Sequence, residues 1–191
     1  MKRILLLVTL ALMLASAMAL SGVAQARPIA ESADAKCAKL AIKTLGPSFN
    51  PSNYTFIGGT EGQDDFSGQA TDGPDVFCGF GERDQIDTLD EGDIFLGGAG
   101  ADDVNRNDGT FYGQEGNDVV FDNFGTVYGG ADNDFVIINQ DGATFNGGAG
   151  DDSVYFNSGT FNGGDGSDSV TNFNSGTTDS VECCPGAGGG L

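Results

Sequence analysis

Between residues 59 and 176 the apolar side chains stand almost alone in a polar, glycine-rich background. The anchors are Phe66, Phe77, Ile86, Phe95 and Val104, with steps of 11, 9, 9 and 9 residues. They continue as Phe111, Val120, Val127, Val136, Phe145, Val154, Phe161 and Val170, with steps of 7, 9, 7, 9, 9, 9, 7 and 9 counted from Val104. A strand reverses face at every residue. Anchors half a coil apart can share one core only if the chain turns between them, and glycine permits the positive φ angles of such turns. The pattern predicts an all-β chain, a parallel β-roll or β-solenoid of stacked 16–18-residue coils with two short strands each. Each strand pairs with the one above at about 4.8 Å, so roughly seven coils make a stack of about 35 Å. One coil cannot bury its own apolar residue, so several must stack and the ends need capping. The two-residue excess between Val136 and Phe145 is expected as a bulge at Ile138 or Gln140.

Residues 27–57 break the period. Asp34 to Leu45 predicts a helix, with Ser32 as its cap and Gly46 and Pro47 as its stop. Cys37, Leu40, Ala41 and Leu45 recur at helical spacing and line one face. The helix is read as a cap on the coils that follow. The chain then divides into a signal segment (1–26), this lead-in (27–57), the repeats (58–182) and a Cys/Gly-rich tail (183–191).

Five octets recur in register within the repeats: GGAGADDV (97–104), GQEGNDVV (113–120), GGADNDFV (129–136), GGAGDDSV (147–154) and GGDGSDSV (163–170). Each has Asp at its sixth place and an aliphatic residue at its eighth. Three match G-G-x-G-x-D-x-U at every defined position, whereas Gln114 and Asp132 replace glycines in the other two. This resembles the RTX (repeats-in-toxin, or haemolysin-type) β-roll family, whose nonapeptide binds calcium. The resemblance implies Ca2+ between consecutive turns, held by sixth-place carboxylates and backbone carbonyls. Calcium is a hard cation that takes six to eight oxygens, which suits such turns. The implied carboxylate ligands are Asp84, Asp102, Asp118, Asp134, Asp152 and Asp168 on one edge, with Asp75 and Asp93 in early turns of the other. The implied turn glycines are Gly97, Gly100, Gly113, Gly116, Gly129, Gly147, Gly150, Gly163 and Gly166. Asp also favours turns without any metal. A stacked carboxylate row without a cation, however, would repel itself.

After Asp93 the opposite edge carries a shorter turn holding Asn107, Asn123, Asn139 and Asn157. Their constant offset from the inward Val predicts a coil-to-coil amide ladder, though Asn is a common turn residue in its own right. Calcium is therefore expected mainly along one edge, about one ion per coil. Thr110, Thr126, Thr144 and Thr160 each precede an anchor and should form an outward row. Such a row suits a strand, and could alternatively serve a surface adhesin or an ice- or glycan-binding face.

Lys2, Arg3, the apolar run Ile4 to Leu20 and Ala24-Gln25-Ala26 form a secretory signal with cleavage expected after Ala26. Removing those residues takes away two basic groups and no acidic one, shifting the formal net charge from −20 to −22. That balance disfavours nucleic acid and anionic membranes as partners, and no later stretch is apolar enough to insert in a bilayer. With no histidine in the chain, Ser-His-Asp, Cys-His and HExxH chemistry are excluded. A polysaccharide lyase would need a basic residue near an acidic cleft, and the repeats hold only Arg83 and Arg106. The expectation is a secreted, non-catalytic protein. Of the four cysteines, Cys37 and Cys78 are expected to pair, pinning the helix. Cys183 and Cys184 are left as a vicinal pair, free thiols or an intermolecular link.

Overall fold

The computed structural model describes residues 31–173 and 176–179. The expected signal segment (1–26) and Cys183 and Cys184 lie outside them. The helix α1 (Ala33–Leu45) begins one residue earlier than expected. Ser32 caps it, accepting a 3.2 Å bond from the Ala35 N–H, and Gly46 ends it at φ 81°. A 3-10 turn, Pro51–Asn53, leads into the coils. The strands are β1 (Thr55–Gly58), β2 (Asp75–Gly81), β3 (Gln85–Leu89), β4 (Ile94–Ala99), β5 (Asp103–Asn107), β6 (Thr110–Glu115) and β7 (Val119–Asn123). They continue as β8 (Thr126–Ala131), β9 (Phe135–Asn139), β10 (Thr144–Ala149), β11 (Ser153–Asn157), β12 (Thr160–Asp165), β13 (Ser169–Phe173) and β14 (Thr177–Asp179).

Two parallel sheets form the walls of a β-solenoid. The eight-stranded sheet runs β1-β2-β4-β6-β8-β10-β12-β14, and the six-stranded sheet runs β3-β5-β7-β9-β11-β13. Each strand pairs with the equivalent strand one coil away, so equivalent residues stack. Phe95, Phe111, Val127, Phe145 and Phe161 form one inward column. Ile86, Val104, Val120, Val136, Val154 and Val170 form the column facing it. Together with Phe66, Phe77 and Leu89 they are the inner core. Phe95 and Phe111 stack at 5.2 Å, and Phe145 and Phe161 at 5.0 Å. Every anchor read from the sequence is buried.

The helix caps the first coils from the side. Cys37 and Ala41 pack on Val76, Cys78, Ile94 and Leu96, which point out of the eight-stranded sheet. None of its side chains belongs to the inner core. A disulfide joins Cys37 to Cys78 with a Cα–Cα distance of 5.5 Å. Its removal in a Cys37→Ser/Cys78→Ser variant should cost about 3 kcal/mol, read by denaturant unfolding. The effect should concentrate in α1 and β2, which hydrogen exchange can resolve.

The extra residues after Val136 do not bulge at Ile138. Ile138 stays in register with Asp122 and Phe156. The length is taken up by the turn Gln140–Ala143, closed by the Ala143 N–H on the Gln140 carbonyl. The turn Asp90–Asp93 closes in the same way, so the half-coils from Ile86 to Phe95 and from Val136 to Phe145 share one design.

Candidate metal centre

The sixth-place aspartates form a continuous buried column. Asp84, Asp102, Asp118, Asp134, Asp152 and Asp168 are each at most 2 % exposed. In each, Oδ1 accepts the backbone N–H of the aspartate one coil earlier, from Asp64 N on Asp84 to Asp152 N on Asp168, at 2.7–2.9 Å. The other oxygen, Oδ2, is buried in all six and has no hydrogen-bond partner. A buried charged oxygen left bare is costly. It must carry a proton or meet a cation.

What surrounds Oδ2 is set by the first glycine of each octet. A methyl group built on Gly113 would lie 1.8 Å from Asp118 Oδ2 and 2.6 Å from the Gly129 carbonyl oxygen of the next coil. The bare carboxylate oxygen and the next coil's carbonyl therefore converge beside a Cα that must lack a side chain. Gly79, Gly97, Gly129 and Gly147 repeat this with their own aspartates and next-coil carbonyls. The fourth-place glycine has a different reason. Gly116 sits at φ 119°, and a methyl on it would lie 1.6 Å from the Gly100 carbonyl oxygen. Gln114 and Asp132, the two departures from the octet, take the same turn at φ 83° and 74°.

Burial pushes five carboxyl groups of the column, those of Asp84, Asp102, Asp118, Asp134 and Asp152, upward from 3.8. Asp118 reaches about 9, Asp84 and Asp134 about 7, and Asp102 and Asp152 about 6. Desolvation is the largest cause in each. The N–H on Oδ1 offsets it in part, and neighbouring carboxylates push the same way as burial. Among the described residues, no three His, Cys, Asp or Glu side chains converge as a metal cluster. A cation here would draw one carboxylate from each coil and take its other oxygens from the backbone. Such an all-oxygen donor set fits a hard cation such as Ca2+, with no nitrogen or sulfur to favour zinc or copper.

Asp75 and Asp93 stand apart on the opposite edge. Asp93 Oδ1 accepts the Asp75 N–H at 2.9 Å, and Asp75 accepts the Thr71 N–H and hydroxyl. Neither leaves a buried oxygen without a partner. Their column stops because Gly109, in the shorter turn that follows, packs against the Asp93 carbonyl and has no room for a side chain.

Below them runs the asparagine ladder. Nδ2 of Asn107, Asn123 and Asn139 donates to Oδ1 of Asn123, Asn139 and Asn157 at 2.8 Å. Each also donates to the carbonyl of the next coil's Thr126, Thr144 or Thr160. At the head of the column Leu89 pairs with Asn107 and offers no donor, so Asn107 Oδ1 stays bare. Asn123→Ala should cost about 2–4 kcal/mol, because it strips partners from Asn107 and Asn139 at once. Asn105→Ala, on the exposed face, should stay within about 0.5 kcal/mol in the same urea titration.

A third ladder was legible only in hindsight. The fifth-place residues Asn117, Asn133 and Asp151 accept the N–H of Asn133, Asp151 and Ser167 at 2.7–2.9 Å. Its donors run the opposite way along the stack from those of the sixth-place column. The signal was a side-chain acceptor in the fifth place of three consecutive octets. The outward threonines stack in register from Thr110 to Thr160 and on to Thr177. Both arginines of the repeats are engaged. Arg83 pairs with Asp103, while Arg106 pairs with Asp108 at 2.5 Å and lies 4.1 Å over the Phe124 ring.

No family model, curated protein or solved structure matches this chain.

Proposed function

We propose that this chain is a secreted, non-catalytic β-solenoid that binds Ca2+ along its aspartate edge and is stabilised by it. The observation that carries this reading is the row of six buried Oδ2 atoms without donors. The octets' resemblance to RTX repeats supports it independently. Ion sites would lie between successive sixth-place aspartates, about one per coil, with Asp75 and Asp93 outside the row. Extracellular calcium modules work at about 10⁻⁴–10⁻³ M affinity, and secretion would carry the chain to where calcium is that abundant.

Circular dichroism and calorimetry of the mature chain during a calcium titration test this. A gain of thermal stability is expected at millimolar calcium, with about five ions bound per chain between the six aspartates. Magnesium should act much more weakly, because it holds its waters and demands near-octahedral geometry. An unchanged melting curve would remove the proposal, and about twelve ions would remove its one-edge form. The in-register threonines favour a second reading, an ice- or glycan-binding face. Ice-recrystallisation and glycan-array assays address that reading directly.

A further inference from the structure

The outer face of the six-stranded sheet changes character over three adjacent strands. On β7, β9 and β11 the inward residues are Val120, Val136, Val154 and the ladder asparagines. The outward ones include Phe121, Ile137, Ile138, Tyr155 and Phe156. Phe121, Tyr155 and Phe156 are 42–44 % exposed, and Val119 and Phe135 add half-buried apolar surface beside them. On β5 the outward residues are Asp103, Asn105 and Arg106, and on β13 they are Ser169, Thr171 and Asn172. An apolar field three strands wide, about 10 Å across, is thus framed by polar residues. Neither the core nor the aspartate edge uses it. Solvated strand faces ordinarily alternate to polar residues, so a contiguous apolar field indicates something that covers it.

Its surroundings indicate the charge of that occupant. Asp122, on β7 beside Phe121 and opposite Ile138, is the carboxylate at the field's edge that is not paired with an arginine. Arg83 and Arg106 on the β5 side are already neutralised by Asp103 and Asp108, so no free cation among the described residues faces the field and the chain's formal charge of −20 sets the sign around it. A second copy of the chain would bring the same acidic rim, at a mature charge of −22 after loss of two basic residues. A field of this width also falls short of the roughly 800 Å² per partner that a stable dimer buries. We propose that this face docks a basic amphipathic peptide segment of another protein. Its apolar stripe would lie across Phe121, Ile137, Tyr155 and Phe156, and its Lys or Arg side chains would reach the carboxylate rim. The acidic field would steer the encounter.

The test uses the mature chain in calcium and a fluorescent Leu/Lys amphipathic helix of about 15 residues. Two control peptides accompany it, a Leu/Glu twin and a Ser/Lys peptide with no apolar stripe. The Leu/Lys peptide should bind, weaken at high salt, and lose about tenfold or more in affinity to Tyr155→Ser/Phe156→Ser. The melting temperature of that variant should barely change, since both side chains stand outside the core. Ile137→Lys should weaken binding similarly by repelling the peptide. Unchanged affinity in both variants would reduce the interaction to bulk charge and overturn the proposal, as would equal binding of the Ser/Lys or Leu/Glu peptide. A dimer in sedimentation velocity that the double variant dissolves would assign the face to a second copy instead.

Discussion

Gly116→Ala is expected to destabilise the chain by at least about 4 kcal/mol, enough to remove most of the stability of an ordinary domain. Two effects combine there. The residue sits at φ 119°, a region that costs an L side chain about 1–3 kcal/mol. The new methyl would also stand 1.6 Å from the Gly100 carbonyl oxygen, a backbone atom of the adjacent coil that cannot swing aside. Relief would require the two coils to separate, breaking the Gly100 N–H bond to the Glu115 carbonyl and its neighbours. Two other glycines calibrate the result. At Gly142 φ is 84° but nothing lies within 4 Å, so Ala there should cost only the backbone strain. At Gly73 neither constraint applies, and Ala should be neutral or slightly stabilising. A Gly116→Ala melting curve no worse than that of Gly142→Ala would mean that the coils are not packed as closely as described.

Without calcium, the protein should lose stability as the pH rises, the reverse of ordinary acid denaturation. Burial raises the carboxyl groups of Asp84, Asp102, Asp118, Asp134 and Asp152 from 3.8 in the unfolded chain to about 6 to 9 in the fold. Between those values the folded state holds more protons than the unfolded one. Stability from this source is therefore complete below about pH 4 and lost as the pH passes 6 to 9. In chelator the melting temperature should fall by on the order of 10 °C between about pH 5 and 9. A cation bound as proposed would replace the proton on Oδ2, and its affinity would grow as the carboxylates ionise. The calcium-induced rise in melting temperature should therefore widen with pH. Asp118→Asn tests the origin of the slope at the most strongly shifted member. Its amide cannot ionise, so the chelated variant should show a shallower pH dependence and bind less calcium. A chelated wild type that grows more stable from pH 5 to 8 would contradict this account.

Much of the architecture was legible because the repeat is strict. After a first step of 11 the apolar anchors recur singly at steps of 7 and 9, and each lies buried where the steps place it. The helix was legible from its cap, its stop and four apolar positions, two of which are fully buried. The Cys37–Cys78 disulfide followed from the outward position of Cys78 beside an inward Phe77. The asparagine ladder followed from a constant offset. The extra length after Val136 falls from Gln140 onward, one of the two expected places, but its form as a turn was not legible, since a strand bulge and a longer turn change the spacing equally. The turn prevailed because it keeps Ile138 and Asn139 in their columns.

The sequence by itself determined the coil, its period, its inward column and the edge on which aspartates recur, because each is a matter of spacing along the chain. It did not determine what an aspartate does on that edge. An exposed turn-former and a buried column member look alike in one dimension. Only the stacking of coils brings one carboxylate's Oδ1 to the N–H of another and leaves its Oδ2 between a glycine Cα and the next carbonyl. The same stacking gathers Phe121, Ile137, Tyr155 and Phe156 onto one face. Those are relations between coils, set by register and burial.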